Sequence, residues 1–276
     1  MFVLKYIFKE PYHAFRTPES RELLNLFRKY GDVKRYEERQ IKFQGFTFQV
    51  PDCMSFLFQF QEIFVEQFYK FKTTDNQPII LDCGANIGSS IAFFKRQYPH
   101  AKIVAFEADP KIAEILKLNL KNNNLTDIEV VSKAVWINDE GIEFASEGSD
   151  GNSIFGDGEK TKVASFRLKG VLDSMSKIAM LKMDIEGAET AVLKDCENSL
   201  SHVDNIFVEY HAFPEQAQEL GTILDILVKN GFRYFINSAQ DRKEPLINHR
   251  YKGNDLMDLQ LNIFGYRENN HHASNR

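Results

Sequence analysis

Residues 79–90 read Ile-Ile-Leu-Asp-Cys-Gly-Ala-Asn-Ile-Gly-Ser-Ser. An apolar run ends at Asp82, a turn with Gly84 and Gly88 follows, and a helical pattern begins at Ser89. A strand, a glycine turn and a helix, in that order, present backbone N–H groups and a helix N-terminus to a ligand in an α/β sheet. The Gly-x-x-x-Gly spacing differs from the Gly-x-Gly-x-x-Gly that favours a dinucleotide.

Composition limits the classes of function. The chain of 276 residues is long enough for one large domain, or for a domain with an added subdomain. Its net charge of −5 and pI near 5.9 disfavour nucleic acid as a partner, because nucleic-acid binders usually carry the opposite balance.

The cysteine pattern and the apolar runs indicate the compartment. Cys53, Cys83 and Cys196 are scattered and form no Cys-x-x-Cys, so we expect neither a disulfide framework nor a zinc site. The apolar segment at residues 1–8 is too short for a signal peptide. The sequence has no run of about 18 apolar residues, so we expect no membrane-spanning helix. We therefore expect a cytoplasmic protein.

Residues 1–75 precede the glycine turn and form a predicted extension. The pattern predicts a helix over 19–30, a hairpin over 40–50 and a helix over 55–71 with a phenylalanine stripe. That stripe could cover the core, line an acceptor pocket or contact a second subunit.

Strands and helices alternate after the extension. Predicted strands cover 77–82, 103–107, 128–132, 178–184, 203–210, 232–236 and 261–266. Most of these are separated by helical patterns, which is typical of an α/β fold. Residues 141–167 are rich in glycine and predict an insertion that carries a hairpin, and 269–276 predict a disordered tail.

Two motifs carry a family resemblance. Asp82-x-Gly84-x-Asn86-x-Gly88 looks like motif I of the class I methyltransferases that use S-adenosylmethionine (SAM). Residues 182–189, Lys-Met-Asp-Ile-Glu-Gly-Ala-Glu, closely resemble the second signature of the FkbM family. The resemblance covers about residues 40–268. It implies a methyltransferase domain over 76–268 and SAM-dependent O-methylation, often of a sugar hydroxyl on a glycan or a secondary metabolite.

The family's fold is a Rossmann-like, seven-stranded, mostly parallel sheet. It has helices on both faces and an antiparallel last strand, here preceded by the helix and hairpin extension. We expect the chain to adopt it.

The resemblance and the strand positions together predict the cofactor site. Glu107 lies 19 residues beyond Gly88 at the end of the second strand, where an acidic side chain can accept hydrogen bonds from a ribose diol. A loop at Ala134 and Val135 is expected beside the adenine. The predicted cofactor-binding residues are Asp82, Gly84, Ala85, Asn86, Gly88, Glu107, Ala108, Ala134, Val135 and Asp184.

The ends of the fourth and fifth predicted strands supply the catalytic candidates, Asp184, Glu186, Glu209 and His211. Glu209 and His211 flank Tyr210, so alternation points both to the same side of the strand. We hypothesise that His211 accepts the proton of the acceptor hydroxyl and that Asp184 or Glu209 orients it. Glu189 is expected on a solvated or capping face of the next helix.

Alternatives remain at this stage. Two carboxylates and an imidazole could hold Mg²⁺ or Mn²⁺, which the sequence permits but does not favour. A non-catalytic SAM or nucleotide-binding module and a nicotinamide-dependent oxidoreductase are two further readings. The acceptor could be a small molecule or a glycan.

Overall fold

The computed structural model describes residues 17–145, 160–214, 216–238, 244, 246–248 and 257–268. The predictions for 1–16, for the centre of the insertion at 146–159 and for the tail at 269–276 lie outside the described residues.

The chain alternates strands and helices. The strands are β1 (Arg39–Phe43), β2 (Phe46–Val50), β3 (Ile79–Cys83), β4 (Lys102–Phe106), β5 (Ile128–Val131), β6 (Ala134–Trp136), β7 (Ile142–Ala145), β8 (Lys160–Val163), β9 (Ser165–Arg167), β10 (Met180–Met183), β11 (Asn205–Ala212), β12 (Arg233–Ser238) and β13 (Leu259–Tyr266). The helices are α1 (Pro18–Tyr30), α2 (Cys53–Phe60), α3 (Ser89–Gln97), α4 (Pro110–Asn122), α5 (Leu168–Ser174), α6 (Glu189–Asp195) and α7 (Leu220–Lys229). A π-helical turn, Gln61–Val65, continues α2, and a 3-10 helix, Glu197–His202, follows α6.

One seven-stranded sheet organises the fold, in the order β12-β13-β11-β10-β3-β4-β5. The neighbours from β11 to β5 pair in parallel, whereas β13 inserts between β11 and β12 and is antiparallel to both. The predicted fold class, with its antiparallel last strand, is therefore confirmed. Helix α7 between β11 and β12 begins at Leu220.

Each face of the sheet buries its own hydrophobic core. One core contains Leu81, Phe106 and Val208 with residues of α5, α6 and α7. The other contains Ile80 and Phe207 with residues of α3, α4 and the described part of the N-terminal extension. This second face also carries the side chains of Lys182, Glu209 and His211, because they alternate with residues of the first core along their strands.

The described part of the N-terminal extension packs most of its phenylalanines into or against this second core. Phe56, Phe60 and Phe64 are buried, and Phe64 meets Phe93 of α3 edge to face with ring centroids 5.8 Å apart. The stripe therefore covers the core. The helix predicted over 55–71 is shorter than expected, because the π-helical turn ends at Val65 and the backbone then turns at Gln67, where φ is 55°.

Two asparagines fasten the hairpin to α4. The Asn119 amide accepts a hydrogen bond from the Gln49 backbone N–H at 2.7 Å and donates to the Gln49 carbonyl at 3.0 Å. The amide of Asn123, which follows α4, makes the same pair with Thr47, at 2.8 and 2.9 Å. Each amide thus binds the outer edge of β2 as a neighbouring strand would.

Smaller features agree with the sequence. Asp109 caps α4 by accepting from the Lys111 N–H at 2.7 Å. In the insertion, β7 and β8 pair antiparallel as a hairpin. All three cysteines are free and buried. Among the described residues, no helix combines the length and the apolar character that crossing a membrane would require.

Candidate active site

Residues 84–88, here called the cofactor turn, are tied to the end of β4. The N–H groups of Gly84 and Ala85 donate to the Phe106 carbonyl at 3.0 and 2.9 Å, and the N–H of Gly88 donates to the Ala85 carbonyl. The backbone of Asn86 adopts φ 48°. These N–H groups hold the shape of the turn. The sequence had predicted that they would contact a ligand.

Steric space explains both glycines of the turn. A Cβ on Gly84, where φ is 82°, would lie 1.8 Å from the Asp184 carbonyl oxygen, so only glycine lets the ends of β3 and β10 approach this closely. A Cβ on Gly88, where φ is 94°, would lie 2.7 Å from Leu116 Cδ1. The absent side chain of Gly88 therefore leaves room for Leu116 of helix α4.

Glu107 stands at the end of β4 beside the cofactor turn. Its Oε2 accepts from the Asn86 N–H at 2.8 Å, and its Oε1 accepts from the Asp109 N–H at 2.9 Å. Burial raises the pKa of Glu107 to about 7, against the opposing effect of these two N–H donors. A carboxylate offers about four lone-pair sites, so two remain for a ribose diol.

Other predicted cofactor residues lie deeper. Asp82 is fully buried, and its Oδ2 accepts a hydrogen bond from the Ser90 hydroxyl at 2.5 Å. Ala85 is also buried. Ala134 and Val135 form strand β6 instead of the expected loop, and both are buried, with Val135 in the hydrophobic core. These four predicted cofactor residues are thus buried, whereas Gly84, Asn86, Glu107, Ala108 and Asp184 keep exposed surface.

Lys182 joins the cofactor turn to the end of β10. Its buried ammonium donates to the Gly84 carbonyl at 2.7 Å and lies 3.4 Å from Asp82 Oδ1 and 3.5 Å from Asp184 Oδ2. The Tyr69 ring of the extension covers it, with the ammonium 5.8 Å from the ring centroid. The sequence motif contained Lys182 but did not predict this role, which depends on the register that pairs Lys182 with Asp82.

Asp184, Glu186, Glu209 and His211 come together as predicted, and we call this group the acidic edge. Asp184 and Glu186 follow β10, and Glu209 and His211 lie on β11. His211 Nε2 is 3.6 Å from Glu186 Oε2. Glu209 accepts a hydrogen bond from the amide of Gln260, the cross-strand partner of His211 on β13.

Glu189 holds His211 from behind. Its buried carboxylate accepts from the N–H groups of Ile185 and Gly187 at 3.0 and 3.1 Å, and its Oε1 lies 3.1 Å from His211 Nδ1. The sequence predicted a solvated or capping face for Glu189, and the solvated position is wrong because the side chain is buried. It did not anticipate the burial or the contact with His211, since both require β11 to lie beside the start of α6.

The electrostatics of the acidic edge reflect an excess of carboxylates. Burial, with Asp184 and Glu209 nearby, raises the pKa of Glu186 to about 8, although His211 opposes the shift. Burial and Asp184 likewise raise the pKa of Glu209 to about 7. Burial lowers the pKa of His211, but Glu186 and Glu189 outweigh it, and the pKa lies well above its ordinary value.

The extension adds a further acid that the sequence did not assign to the site. Burial, with Glu209 as the first of several nearby carboxylates, raises the pKa of Glu62 well above its ordinary value. Glu62 belongs to the π-helical turn, and such turns are frequent at functional sites. The extension therefore borders the acidic edge.

Comparisons with known proteins agree with this geometry. The family model "Methyltransferase FkbM domain" matches residues 82–234, more than half of the chain. "Methyltransferase sdnD" of Sordaria araneosa is 29% identical over 190 residues, which are 55% of this chain and 73% of that protein. "2-O-methyltransferase NoeI" of Sinorhizobium fredii is 25% identical over 174 residues, which are 54% of this chain and 71% of that protein.

A solved structure, the "Methyltransferase FkbM" of Methylobacillus flagellatus, is 16% identical with a TM-score of 0.49, and the match covers 74% of this chain and 46% of that chain. The extent of the family match is decisive. This chain belongs to the FkbM family and is a SAM-dependent methyltransferase.

Proposed function

We propose that the enzyme transfers the methyl group of SAM to a hydroxyl group of a sugar, a glycan or a secondary metabolite. The observation that carries this proposal is the contact between the backbones of Gly84 and Asp184, which joins the cofactor turn directly to the acidic edge. A methyl donor held at the turn would then face a group of carboxylates and an imidazole suited to a hydroxyl acceptor.

The cofactor would lie along the exposed side of the turn. We propose that Glu107 binds the ribose diol through its two remaining lone-pair sites, with Gly84, Asn86 and Ala108 around it. Asp184 would face the sulfonium, whose positive charge the nearby carboxylates attract.

We assign the proton of the acceptor hydroxyl to Glu209. Both ring nitrogens of His211 face carboxylates, those of Glu186 and Glu189, so neither nitrogen is free to take the proton of an acceptor hydroxyl. The hydrogen-bond partner of Glu209 is the neutral amide of Gln260, so its carboxylate keeps its capacity to accept a proton. This transfers to Glu209 the role that the sequence had suggested for His211.

The charge of the site supports an uncharged hydroxyl acceptor. Carboxylates from three chain segments border it, and they would repel the phosphates of a nucleic acid. The NoeI relative is named as a 2-O-methyltransferase, which agrees with a hydroxyl acceptor. Three free buried cysteines are consistent with a reducing cytoplasm as the site of the reaction.

The test is methyl transfer to a panel of mono- and oligosaccharides and hydroxylated polyketides, measured as S-adenosylhomocysteine (SAH) formed and as a 14-Da mass gain of the acceptor. We expect product from at least one hydroxyl acceptor. SAH binding with no transfer to any acceptor would favour the non-catalytic module, and binding of NAD instead of SAH would favour the oxidoreductase.

A further inference from the structure

Three groups at the acidic edge converge on one point. Asp184, Glu186 and His211 each offer one donor atom, and these atoms all lie within 4.8 Å of one another. They come from two adjacent strand ends, so the sheet register fixes their separation. Two oxygen donors and one imidazole nitrogen are a common protein contribution to a divalent cation.

The histidine is presented as a ligand. Its side chain is only 2% exposed, and Nδ1 is engaged by Glu189. In the described part of the chain, Nε2 has Glu186 as its ion-pair partner at 3.6 Å but makes no hydrogen bond. A metal-binding histidine typically donates its other ring N–H to a carboxylate, which fixes the ring and leaves the facing nitrogen for the metal.

A second polar group on this face of the sheet lacks a partner. Asn262 is directly opposite Glu209 in the register of β11 and β13, and 2% of it is exposed. Its Oδ1 has no hydrogen-bond partner among the described residues. A buried amide oxygen without a protein partner can accept a hydrogen bond from a water molecule.

We propose that Asp184, Glu186 and His211 bind one divalent cation of the Mg²⁺ and Mn²⁺ class, with Glu189 as the group that positions His211. Glu62, Asp82 and Glu209 also face this region, and among described residues Lys182 is the basic side chain beside Asp184. The Lys182 ammonium also contacts Asp82 and the Gly84 carbonyl, so its positive charge does not neutralise the carboxylates of the cluster.

The role of the cation rests on the proposed function, whereas the site itself does not. With about six coordination positions and three protein ligands, the cation keeps room for water and for the acceptor hydroxyl. Coordination lowers the pKa of that hydroxyl. Its proton passes to Glu209, the oxygen forms a bond to the methyl carbon, and the carbon–sulfur bond breaks with its electron pair on sulfur. The products are the methyl ether, SAH and one proton.

The test is a titration of the full-length, EDTA-stripped protein with Mn²⁺, in which electron paramagnetic resonance measures the free ion. We expect about one ion per chain, and an affinity at least about tenfold weaker in Glu186→Gln and His211→Ala. Glu189→Gln should weaken binding by a smaller factor. His202→Ala and Glu114→Gln alter an exposed imidazole and an exposed carboxylate, and they should bind as the wild type does.

The folding of each variant is checked by circular dichroism and by SAH titration. If His211→Ala does not fold, the result for Glu186→Gln alone tests the site. Wild-type binding no tighter than that of Glu186→Gln overturns the site. An undiminished rate of methyl transfer by the stripped enzyme overturns the role of the cation and leaves O-methylation intact. One bound Mn²⁺ without transfer to any hydroxyl supports the site and overturns the proposed function instead.

Discussion

The cofactor turn and the acidic edge lie side by side but are built differently. The turn is a short segment whose N–H groups find acceptors within the turn and at the end of β4. The acidic edge gathers side chains from β11 and from the segment that follows β10, with Glu62 of the extension bordering it, and carboxylates there outnumber the neighbouring cations. The N–H groups of the turn thus have hydrogen-bond partners without a ligand, whereas the acidic edge has carboxylates left over to bind one. The turn acts as a rigid support, and the edge supplies the reactive groups.

Gly84→Ala would break both regions at once. The added Cβ would lie 1.8 Å from the Asp184 carbonyl oxygen at a backbone φ of 82°, so the ends of β3 and β10 must separate. We expect a loss of at least about 3 kcal/mol in the free energy of unfolding and loss of both SAH binding and methyl transfer. Thermal unfolding and calorimetric titration with SAH measure the two effects.

Gly170→Ala is the matched control, because a Cβ there, within α5, would have no atom within 4 Å. Alanine is the better helix former by roughly 0.5–1 kcal/mol, so this variant should be as stable as the wild type or more stable. Equal behaviour of the two variants would contradict the close contact of the strands.

Glu209→Gln separates the two regions. The amide keeps the size of the side chain but cannot take a proton, so we expect kcat to fall by about 10²–10⁴-fold. SAH affinity should stay within about twofold of the wild type, because the cofactor turn is untouched. Steady-state kinetics with a hydroxyl acceptor give kcat, and an unchanged kcat would remove Glu209 from the proton transfer.

Glu107→Gln acts on the cofactor turn alone. Loss of charge-assisted hydrogen bonds to the ribose should weaken SAH binding by about 10–100-fold in calorimetry. Glu114→Gln, at an exposed position on α4, provides the comparison and should leave the affinity unchanged. Similar affinities in the two variants would place the ribose elsewhere.

The pH dependence of SAH binding is the smallest effect. Because burial raises the pKa of Glu107 to about 7, the carboxylate is mostly ionised at pH 8 and mostly protonated at pH 6. The ionised form accepts the hydrogen bonds of the ribose, so affinity should fall about tenfold from pH 8 to pH 6. Glu107→Gln should flatten the profile, and a profile that stays steep in this variant would point to another group.

The difference between the two regions also explains how much the sequence could predict. The strand, the glycine turn and the position of Glu107 follow from local patterns, and the fold class, which the family resemblance implied, was confirmed. Alternation along β11 was enough to predict that Glu209 and His211 share a face, which the structure bears out. These features depend on a few residues that are neighbours in the sequence, so a single sequence is enough to predict them.

The remaining features depend on which segments meet. The cofactor turn was expected to offer its N–H groups to a ligand, but the Phe106 carbonyl at the end of β4 accepts two of them. The absent side chain of Gly88 leaves room for helix α4. The buried contacts of Lys182 need the β3–β10 register, and the contact of Glu189 with His211 needs two strands and a helix together. A local sequence pattern shows that these residues are charged. It does not show which residue each charged side chain contacts in the fold.

The paired amides of Asn119 and Asn123 have a consequence outside catalysis. An exposed strand edge is a template on which another chain can add a strand, and proteins must guard against such aggregation. Each amide occupies both the N–H and the carbonyl of one residue on the outer edge of β2. Two side chains of a helical segment thus close that edge of the hairpin to a further strand.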